Sequence, residues 1–213
     1  MEYLHDIRKF ISELIADALG SGQFIDGEAL SDAAAREAHY LRPDHDQSFV
    51  TGSGFVELRD ADGKVKHLAV FRNKVTEVGD QMYGERGANI GTPPAYPTGM
   101  RLGTGGETAA SKTGAGAAIV TYISGSQEAH DASFPTSSLS SGLRRIQYKC
   151  TWDAGDVTQN GIDEWVVTNE TPITDVAGNA ANTVSRAVDT SSPVNKGSGD
   201  SLAITWNHDL GTL

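Results

Sequence analysis

Two stretches in the second half of the chain alternate apolar and polar side chains with a period of two. The apolar positions are Ile146, Tyr148, Cys150 and Trp152 in the first stretch, and Leu202, Ile204, Trp206 and His208 in the second. Because successive side chains of an extended chain point to opposite faces, this alternation is typical of strands that bury one face only. Both stretches therefore predict strands of an antiparallel sheet with one apolar and one polar face.

A β-hairpin is predicted further upstream. Two strand-like runs, residues 55–59 and 64–71, are joined by Asp60-Ala-Asp-Gly63, and a glycine after an aspartate supplies the positive φ that a tight turn needs. Further strands are expected to begin at Met100 and to occupy residues 117–124, 162–168 and 183–188, and residues 125–142 are expected to form a long loop. The predicted fold class is mainly β: an antiparallel β-sandwich of the jelly-roll or immunoglobulin-like type, with an N-terminal amphipathic helix.

Two shorter segments complete the predicted β domain. Val75, Val78 and Met82 recur at intervals of three and four residues and favour a short helix, although Gly79 weakens that pattern. Three prolines in residues 91–98 exclude regular structure and predict a stiff connector.

The first residues of the chain carry a helical apolar stripe. It consists of Leu4, Ile7, Ile11, Leu14 and Ala18, and Gly20 and Gly22 follow as a helix end. Isolated helices below about 15 residues are marginal in water, so a helix this short must dock on its own domain, on copies of itself or on a partner. We predict a helical arm over residues 1–48 and a β-sandwich domain over residues 49–213.

The charge balance argues against nucleic acid as a partner. The chain has 28 acidic and 17 basic residues, a net charge of -11, and its one dense basic spot is Arg144-Arg145. The single cysteine, Cys150, has no partner for an internal disulfide and is predicted to be a small core residue. With no signal peptide and no apolar run of about 18 residues, no membrane partner is expected.

The sequence contains no motif that would activate a catalytic group, bind a cofactor or hold a metal. Gly106-Glu-Thr-Ala-Ala-Ser-Lys-Thr113 comes close to a phosphate-binding loop, but Ser111 stands where the second glycine is needed. Asp44, His45 and Asp46 are consecutive and cannot converge on one ion. His208, at a strand end, is expected to be a hydrogen-bonded structural residue. We therefore expect no enzymatic activity.

Several turn and strand pieces resemble a group of tailed-bacteriophage virion proteins. The pieces are Leu102-Gly-Thr-Gly105, Asp163-Glu164, Ser185-Arg186, Pro193-Val-Asn-Lys-Gly197 and the closing Leu202-Ala-Ile-Thr-Trp206. They are similar to the first domain of tail-collar fibre proteins, in which a glycine-rich turn and a strand with a central glutamate recur, and Glu164 would occupy that position. The resemblance covers roughly residues 53–209.

The resemblance implies a structural subunit made in the host cytoplasm and assembled into the virion. Its expected partners are copies of itself and other virion proteins, such as tail, portal-proximal or capsid subunits. Arg144, Arg145 and Trp165 are candidate contacts in the β domain, because arginine and aromatic residues are enriched at interfaces. In the arm, the candidate contacts are Leu4, Ile7, Ile11 and Leu14.

Two alternatives to a tail, collar or fibre-attachment protein remain open at this point. The first is a capsid decoration protein, in which the β domain sits on the shell and the arm reaches neighbouring capsomers. The second belongs to another class, a carbohydrate-binding module, for which Tyr96 and Phe134 on predicted loops would be the sugar platforms.

Overall fold

The computed structural model describes residues 50–140 and 142–211. The strands are β1 (Val50–Arg59), β2 (Val65–Val75), β3 (Gly99–Gly103), β4 (Glu128–Ala129), β5 (Thr136–Ser140), β6 (Leu143–Trp152), β7 (Gln159–Ile162), β8 (Glu164–Thr168), β9 (Thr183–Val188), β10 (Val194–Lys196) and β11 (Ser201–Leu210). One helix, α1 (Glu77–Ala88), follows β2, and short 3-10 helices occupy Gly114–Ala117 and Ala180–Asn182.

Nine of these strands form one antiparallel sheet in the order β4-β3-β8-β9-β2-β1-β11-β6-β5. The sheet curls into a half-barrel. β4 is at one edge of the sheet, and β6 lies next to the opposite edge. The chain just after β4 nevertheless contacts β6, because the N–H of Asp131 donates to the carbonyl of Lys149 at 2.8 Å. β7 and β10 make a separate two-stranded sheet, whose Ile162 and Val194 are buried in the same core.

The core fills the concave side of the curled sheet. Val56, Ile204 and Trp206 lie on this side, and the residues that alternate with them face the convex side. The ring of Phe71 packs edge-on against Trp206 at 4.9 Å and against Trp165 at 5.4 Å between ring centroids. Full burial of one large apolar side chain contributes about 1.5–3 kcal/mol, so these rings are a major source of stability.

The two alternating stretches are confirmed as neighbouring strands, β11 and β6, and β6 lies next to the edge strand β5. β6 and β11 pair antiparallel from Trp152 opposite Leu202 to Arg144 opposite Leu210. The hairpin is also confirmed, as β1 and β2, and Cys150 is a fully buried core residue. The mainly β, antiparallel prediction therefore holds. The sandwich of two packed sheets is not confirmed, because nine strands belong to one continuous sheet.

The predicted short helix is confirmed as α1, although Val75, the first residue of the predicted pattern, is the last residue of β2. The Thr76 hydroxyl accepts the N–H of Gly79 and itself donates to the Val184 carbonyl at 3.0 Å, so the helix start is tied to β9. Asn89 ends the helix in the left-handed conformation, at φ 54°. Gly79 is needed here, because a Cβ would lie 2.4 Å from the Val184 carbonyl oxygen.

Two local predictions are wrong. Residues 117–124 form no strand; they follow a 3-10 helix and make one isolated bridge, between Tyr122 and Gly103. The predicted loop 125–142 contains β4 and β5, which pair with β3 and β6 although their sequences do not alternate. The predicted N-terminal helix lies outside the described residues, and the boundary between arm and domain stays a prediction.

Candidate functional site

The predicted contact residues of the β domain occupy different environments. Arg144 is exposed on β6, opposite Leu139 of β5, whose side chain is 71% exposed. Arg145 is 5% exposed, and its guanidinium donates to both carboxylate oxygens of Asp209, at 2.9 and 3.2 Å. Trp165 is 1% exposed, so its ring serves the core and offers no surface to a partner in this structure. Leu4, Ile7, Ile11 and Leu14 lie outside the described residues.

A buried ion pair joins Glu164 of β8 to Arg186 of β9. Both side chains are 0% exposed, and Nε and Nη2 of Arg186 lie 2.8 and 2.7 Å from Oε1 of Glu164. The two residues alternate with core residues Trp165 and Ala187, which places the pair on the convex side. Charges removed from water to this extent need partners for every remaining donor and acceptor.

Those partners come from the backbone of the loop between β3 and β4. Glu164 accepts the N–H groups of Val120 (2.7 Å), Gly105 (3.0 Å) and Thr121 (3.2 Å). Arg186 donates to the carbonyls of Thr108 (2.8 Å), Gly105 (3.3 Å) and Gly116 (3.3 Å). The ion pair thus fastens residues 104–121, the pinned loop, to the convex side of β8 and β9.

The glycine-rich turn at Gly103–Gly105, just before the stretch that comes close to a phosphate-binding loop, binds a carboxylate of its own chain. A Cβ on Gly103 or on Gly105 would lie 2.5 Å from Oε2 of Glu164, so both positions require glycine for this close approach. Gly106, the first residue of the stretch that comes close to a phosphate-binding loop, donates its N–H to Oδ1 of Asp163 at 3.0 Å.

A second polar cluster, centred on His208, lies on the concave side under α1. Its ring Nδ1 is 2.8 Å from the Tyr83 hydroxyl, which is 2.8 Å from the Tyr148 hydroxyl. On the other side of the ring, Nε2 accepts from the Trp206 indole N–H at 3.1 Å and lies 3.0 Å from Ser185 Oγ. Since an indole N–H can only donate, Nε2 is the acceptor and the neutral ring carries its proton on Nδ1.

This cluster contains a serine beside a histidine, but its arrangement is that of a core network. Burial lowers the pKa of His208 to about 3 and raises the pKa of Tyr148 to about 12, so both stay neutral. Ser185 and His208 are both 0% exposed, and the Nε2 lone pair already accepts from Trp206. A nucleophile needs a base with an available lone pair and an approach for substrate, which this pair does not offer. His208 is therefore a hydrogen-bonded structural residue, as predicted.

Lys196 and Cys150 are two further buried ionisable groups that contact groups of their own chain. Lys196 is 0% exposed and donates to the carbonyls of Asp153 at 2.9 Å and Val157 at 3.0 Å; burial lowers its pKa. Cys150 Sγ lies 3.5 Å from Nδ1 of His130. Burial raises the pKa of the Cys150 thiol and lowers the pKa of His130 to about 4, so the pair is a neutral thiol beside a neutral imidazole.

The two residues proposed as sugar platforms both lie on loops. Tyr96 is 66% exposed, and the guanidinium of Arg86 stands 3.7 Å above the centroid of its ring. Phe134 is half-buried. A sugar stacking on Tyr96 would share the ring with a cation that already covers one of its faces.

The described residues offer neither a metal site nor a membrane-spanning helix. No group of three or more His, Cys, Asp or Glu side chains within residues 50–140 and 142–211 is arranged to hold a metal ion. In the same part of the chain, no helix has the length and apolar character to cross a membrane.

We compared the chain with models of protein families, with curated proteins and with solved structures. None of the three comparisons finds a match.

Sequence reasoning found some of the polar residues and missed others. Glu164 and Arg186 belong to the pieces that carry the phage resemblance, but no local pattern shows that they pair, because they lie on different strands with 21 residues between them. Tyr83 of α1 was not singled out, and it meets His208 only through the fold. A polar residue within an otherwise apolar strand face was the one available signal, and His208 carries it.

Proposed function

We propose that this chain is a non-enzymatic structural component of a tailed-phage virion, at the level of the tail, collar or fibre attachment. The proposal rests on one observation: segments that are far apart in the sequence, and on which the resemblance is based, contact one another at a buried ion pair. The Leu102-Gly-Thr-Gly105 turn, Glu164 and Arg186 come together around one ion pair. Three of the pieces on which the resemblance is based thus contribute to one stabilising unit of this fold.

The internal use of polar groups supports a structural role. The carboxylate of Glu164, the imidazole of His208 and the ammonium of Lys196 all bind groups of the same chain. Catalytic groups with perturbed pKa values usually line a cleft that admits substrate, whereas these are sealed in the sheet or under the loops.

The free edge of the sheet supports self-assembly. Among the described residues, β5 pairs with β6 on one side only; the strand consists of Thr136, three serines and Leu139, and contains no lysine, proline or bulge that would protect an edge. The exposed Leu139 lies opposite the exposed Arg144, which combines an apolar and a cationic contact at this edge. We place the homo-oligomer contact there.

Mutation of Arg144 tests this contact. Arg144→Glu puts a negative charge beside Leu139, so the oligomer should dissociate to a smaller species in light scattering after size-exclusion chromatography. Lys64→Glu, an equal charge reversal in the exposed β1–β2 turn, is the matched control and should leave the mass unchanged. An unaltered mass in Arg144→Glu would remove this edge from the proposal.

The virion assignment is tested by counting copies. Quantitative mass spectrometry on purified particles should find the chain at a small multiple of the tail symmetry, and immunogold should label the tail or collar. A copy number matching the capsid lattice would indicate the decoration protein instead. Absence of the chain from the particle would contradict both virion roles.

The exposed ring of Tyr96 favours one candidate of another class, a carbohydrate-binding module. If the chain is such a module, a glycan array should show binding that is lost in Tyr96→Ala and kept in Leu139→Ala, which removes a similarly exposed apolar side chain. If the chain binds no glycan on the array, the carbohydrate-binding module is excluded and the structural role is the one candidate that remains.

A further inference from the structure

The edge strand β5 and its neighbour β6 form a tight hairpin. β5 is the outermost strand at one end of the nine-stranded sheet, and residues 136–139 are exposed. Ser140 lies opposite Leu143, so the turn that joins the two strands has two residues. Gly142 in that turn has φ 83°, a left-handed conformation typical of two-residue hairpin turns. The register of β5 against β6 is therefore that of a regular antiparallel ladder.

This hairpin determines which backbone groups of β5 point outward. The residues that flank a two-residue turn exchange hydrogen bonds, and along an antiparallel ladder such pairs alternate with pairs that make none. Ser140, Ser138 and Thr136 therefore direct their N–H and carbonyl groups toward β6. Ser137 and Leu139 direct theirs away from β6. The exposed edge thus offers the donors and acceptors of these two residues to a further strand.

We infer that β5 pairs antiparallel with β5 of a second copy of this chain, with Ser138 of each copy beside the two-fold axis. The inference rests on the homo-oligomer contact proposed above and specifies its register. Ser137 then lies opposite Leu139 of the second copy, and the symmetry repeats this pair on the other side of the axis. Every outward N–H of Ser137 and Leu139 meets an outward carbonyl, so the strand is complementary to itself.

The two neighbouring symmetric registers make fewer hydrogen bonds. If Ser137 lay beside the axis, Leu139 would face Pro135, which has no N–H to donate. If Leu139 lay beside the axis, Ser137 would face residue 141, which is beyond the end of β5 at Ser140. The register centred on Ser138 is therefore the one that satisfies the outward groups of both copies within β5.

The charges near this edge also favour a second copy. The chain has a net charge of -11, but neither β5 nor β6 contains an acidic residue, so two copies meet here without bringing carboxylates of these strands together. In the inferred register the backbones at Arg144 of the two copies are three strand spacings apart, at least about 14 Å. This exceeds the Debye length of about 8 Å at physiological ionic strength, so the two cations repel each other little. The exposed side chain of Leu139 gains Ser137 of the second copy as a neighbour, which removes apolar surface from water.

Disulfide trapping in the full-length chain tests this register. Ser138→Cys places the two Cα atoms about 4.5 Å apart in a pair without hydrogen bonds, a distance that a disulfide spans. Ser137→Cys is the matched control, because it makes the same change on the same exposed strand but leaves its two Cα atoms about 8 Å apart, too far for a disulfide. In one redox buffer, Ser138→Cys should form the linked dimer at least about tenfold faster on non-reducing gels. The native Cys150 is buried and needs no replacement.

A mixture of two variants tests the same register in a second way. Ser137→Cys mixed with Leu139→Cys should give the linked heterodimer at least about tenfold faster than either variant forms its own dimer, because these two positions face each other. Equal rates for Ser137→Cys and Ser138→Cys, or no linked dimer in any variant, would overturn the inference. Neither result bears on the virion role, which copy counting tests separately. A loss of mass in Arg144→Glu without trapping in Ser138→Cys would keep the edge contact and remove this register.

Discussion

At the scale of single residues, His208 makes the stability of the fold depend on pH. Its pKa is lowered from 6.5 to about 3 because the ring is buried. Between these two values the unfolded chain binds a proton that the folded chain does not. The free energy of unfolding therefore falls as the pH drops below 6.5, by about 1.4 kcal/mol per pH unit from this one group.

His208→Gln removes this proton and should make the pH dependence of unfolding shallower. Urea denaturation at pH 6.5 and at lower values down to about 4 measures the slope, which should be smaller than in the wild type by about 1.4 kcal/mol per pH unit. His130→Gln is the comparison: the pKa of His130 is lowered only to about 4, by burial, so the slope that it contributes ends at a higher pH. Parallel slopes in wild type and His208→Gln would show that His208 is protonated in the folded state.

At the scale of elements, the pinned loop depends on the ion pair beneath it. Glu164→Gln leaves Arg186 charged and buried without its counter-ion, which should lower the free energy of unfolding by about 3–5 kcal/mol. Asp80→Asn is the matched control; it breaks the exposed pair between Asp80 and Lys112 and should change the free energy by less than about 1 kcal/mol. Urea denaturation measures both variants.

A double variant distinguishes the charge interaction between Glu164 and Arg186 from the hydrogen bonds that the two side chains make to the pinned loop. Glu164→Leu with Arg186→Met removes both charges, but the N–H groups of Gly105 and Val120 keep no acceptor. We therefore expect the double variant to remain destabilised and the amides of the pinned loop to exchange faster. Wild-type stability in the double variant would mean that the loop does not need these bonds.

Comparing β6 and β11 with the pinned loop shows which strands can be predicted from the sequence and which cannot. Alternation identified β6 and β11 because one side of each strand faces an apolar core and the other does not. Residues 117–124 were predicted as a strand from their apolar content, which correctly signals burial, since Ile119 is 6% exposed. Burial does not specify pairing, however: the N–H groups of Val120 and Thr121 bind a carboxylate in place of a neighbouring strand.

The edge strand β5 and the long-range hydrogen-bond networks could not be predicted from the sequence. β5 is a strand because its backbone pairs with β6, and its serine-rich sequence has no alternation of apolar and polar residues that would predict a strand. The bond from Tyr83 to His208 depends on how α1 crosses the concave side, which no local pattern encodes. The phage resemblance identified Glu164, but its partner and its loop became known only from the fold.

At the scale of the whole molecule, the first and last described strands are neighbours inside the sheet. β1 pairs with β11 along its full length, from Val50 opposite Leu210 to Arg59 opposite Ser201. A chain that ends after Asp200 should therefore lose its cooperative unfolding transition in urea, because β6 and β5 no longer join the rest of the sheet. A chain that ends after Leu210 is the control and should unfold as the full chain does. A cooperative transition in the shorter chain would contradict this view.

This strand order also has a consequence for biosynthesis. While the ribosome is still translating residues before 201, β1 and β6 have no strand between them, and the nascent polypeptide exposes two unsatisfied ladders. The sheet closes only when β11 leaves the exit tunnel, so assembly-competent subunits arise after translation has passed Leu210. Slow codons or chaperone binding during synthesis of residues 201–210 would then govern yield more than those during synthesis of β1.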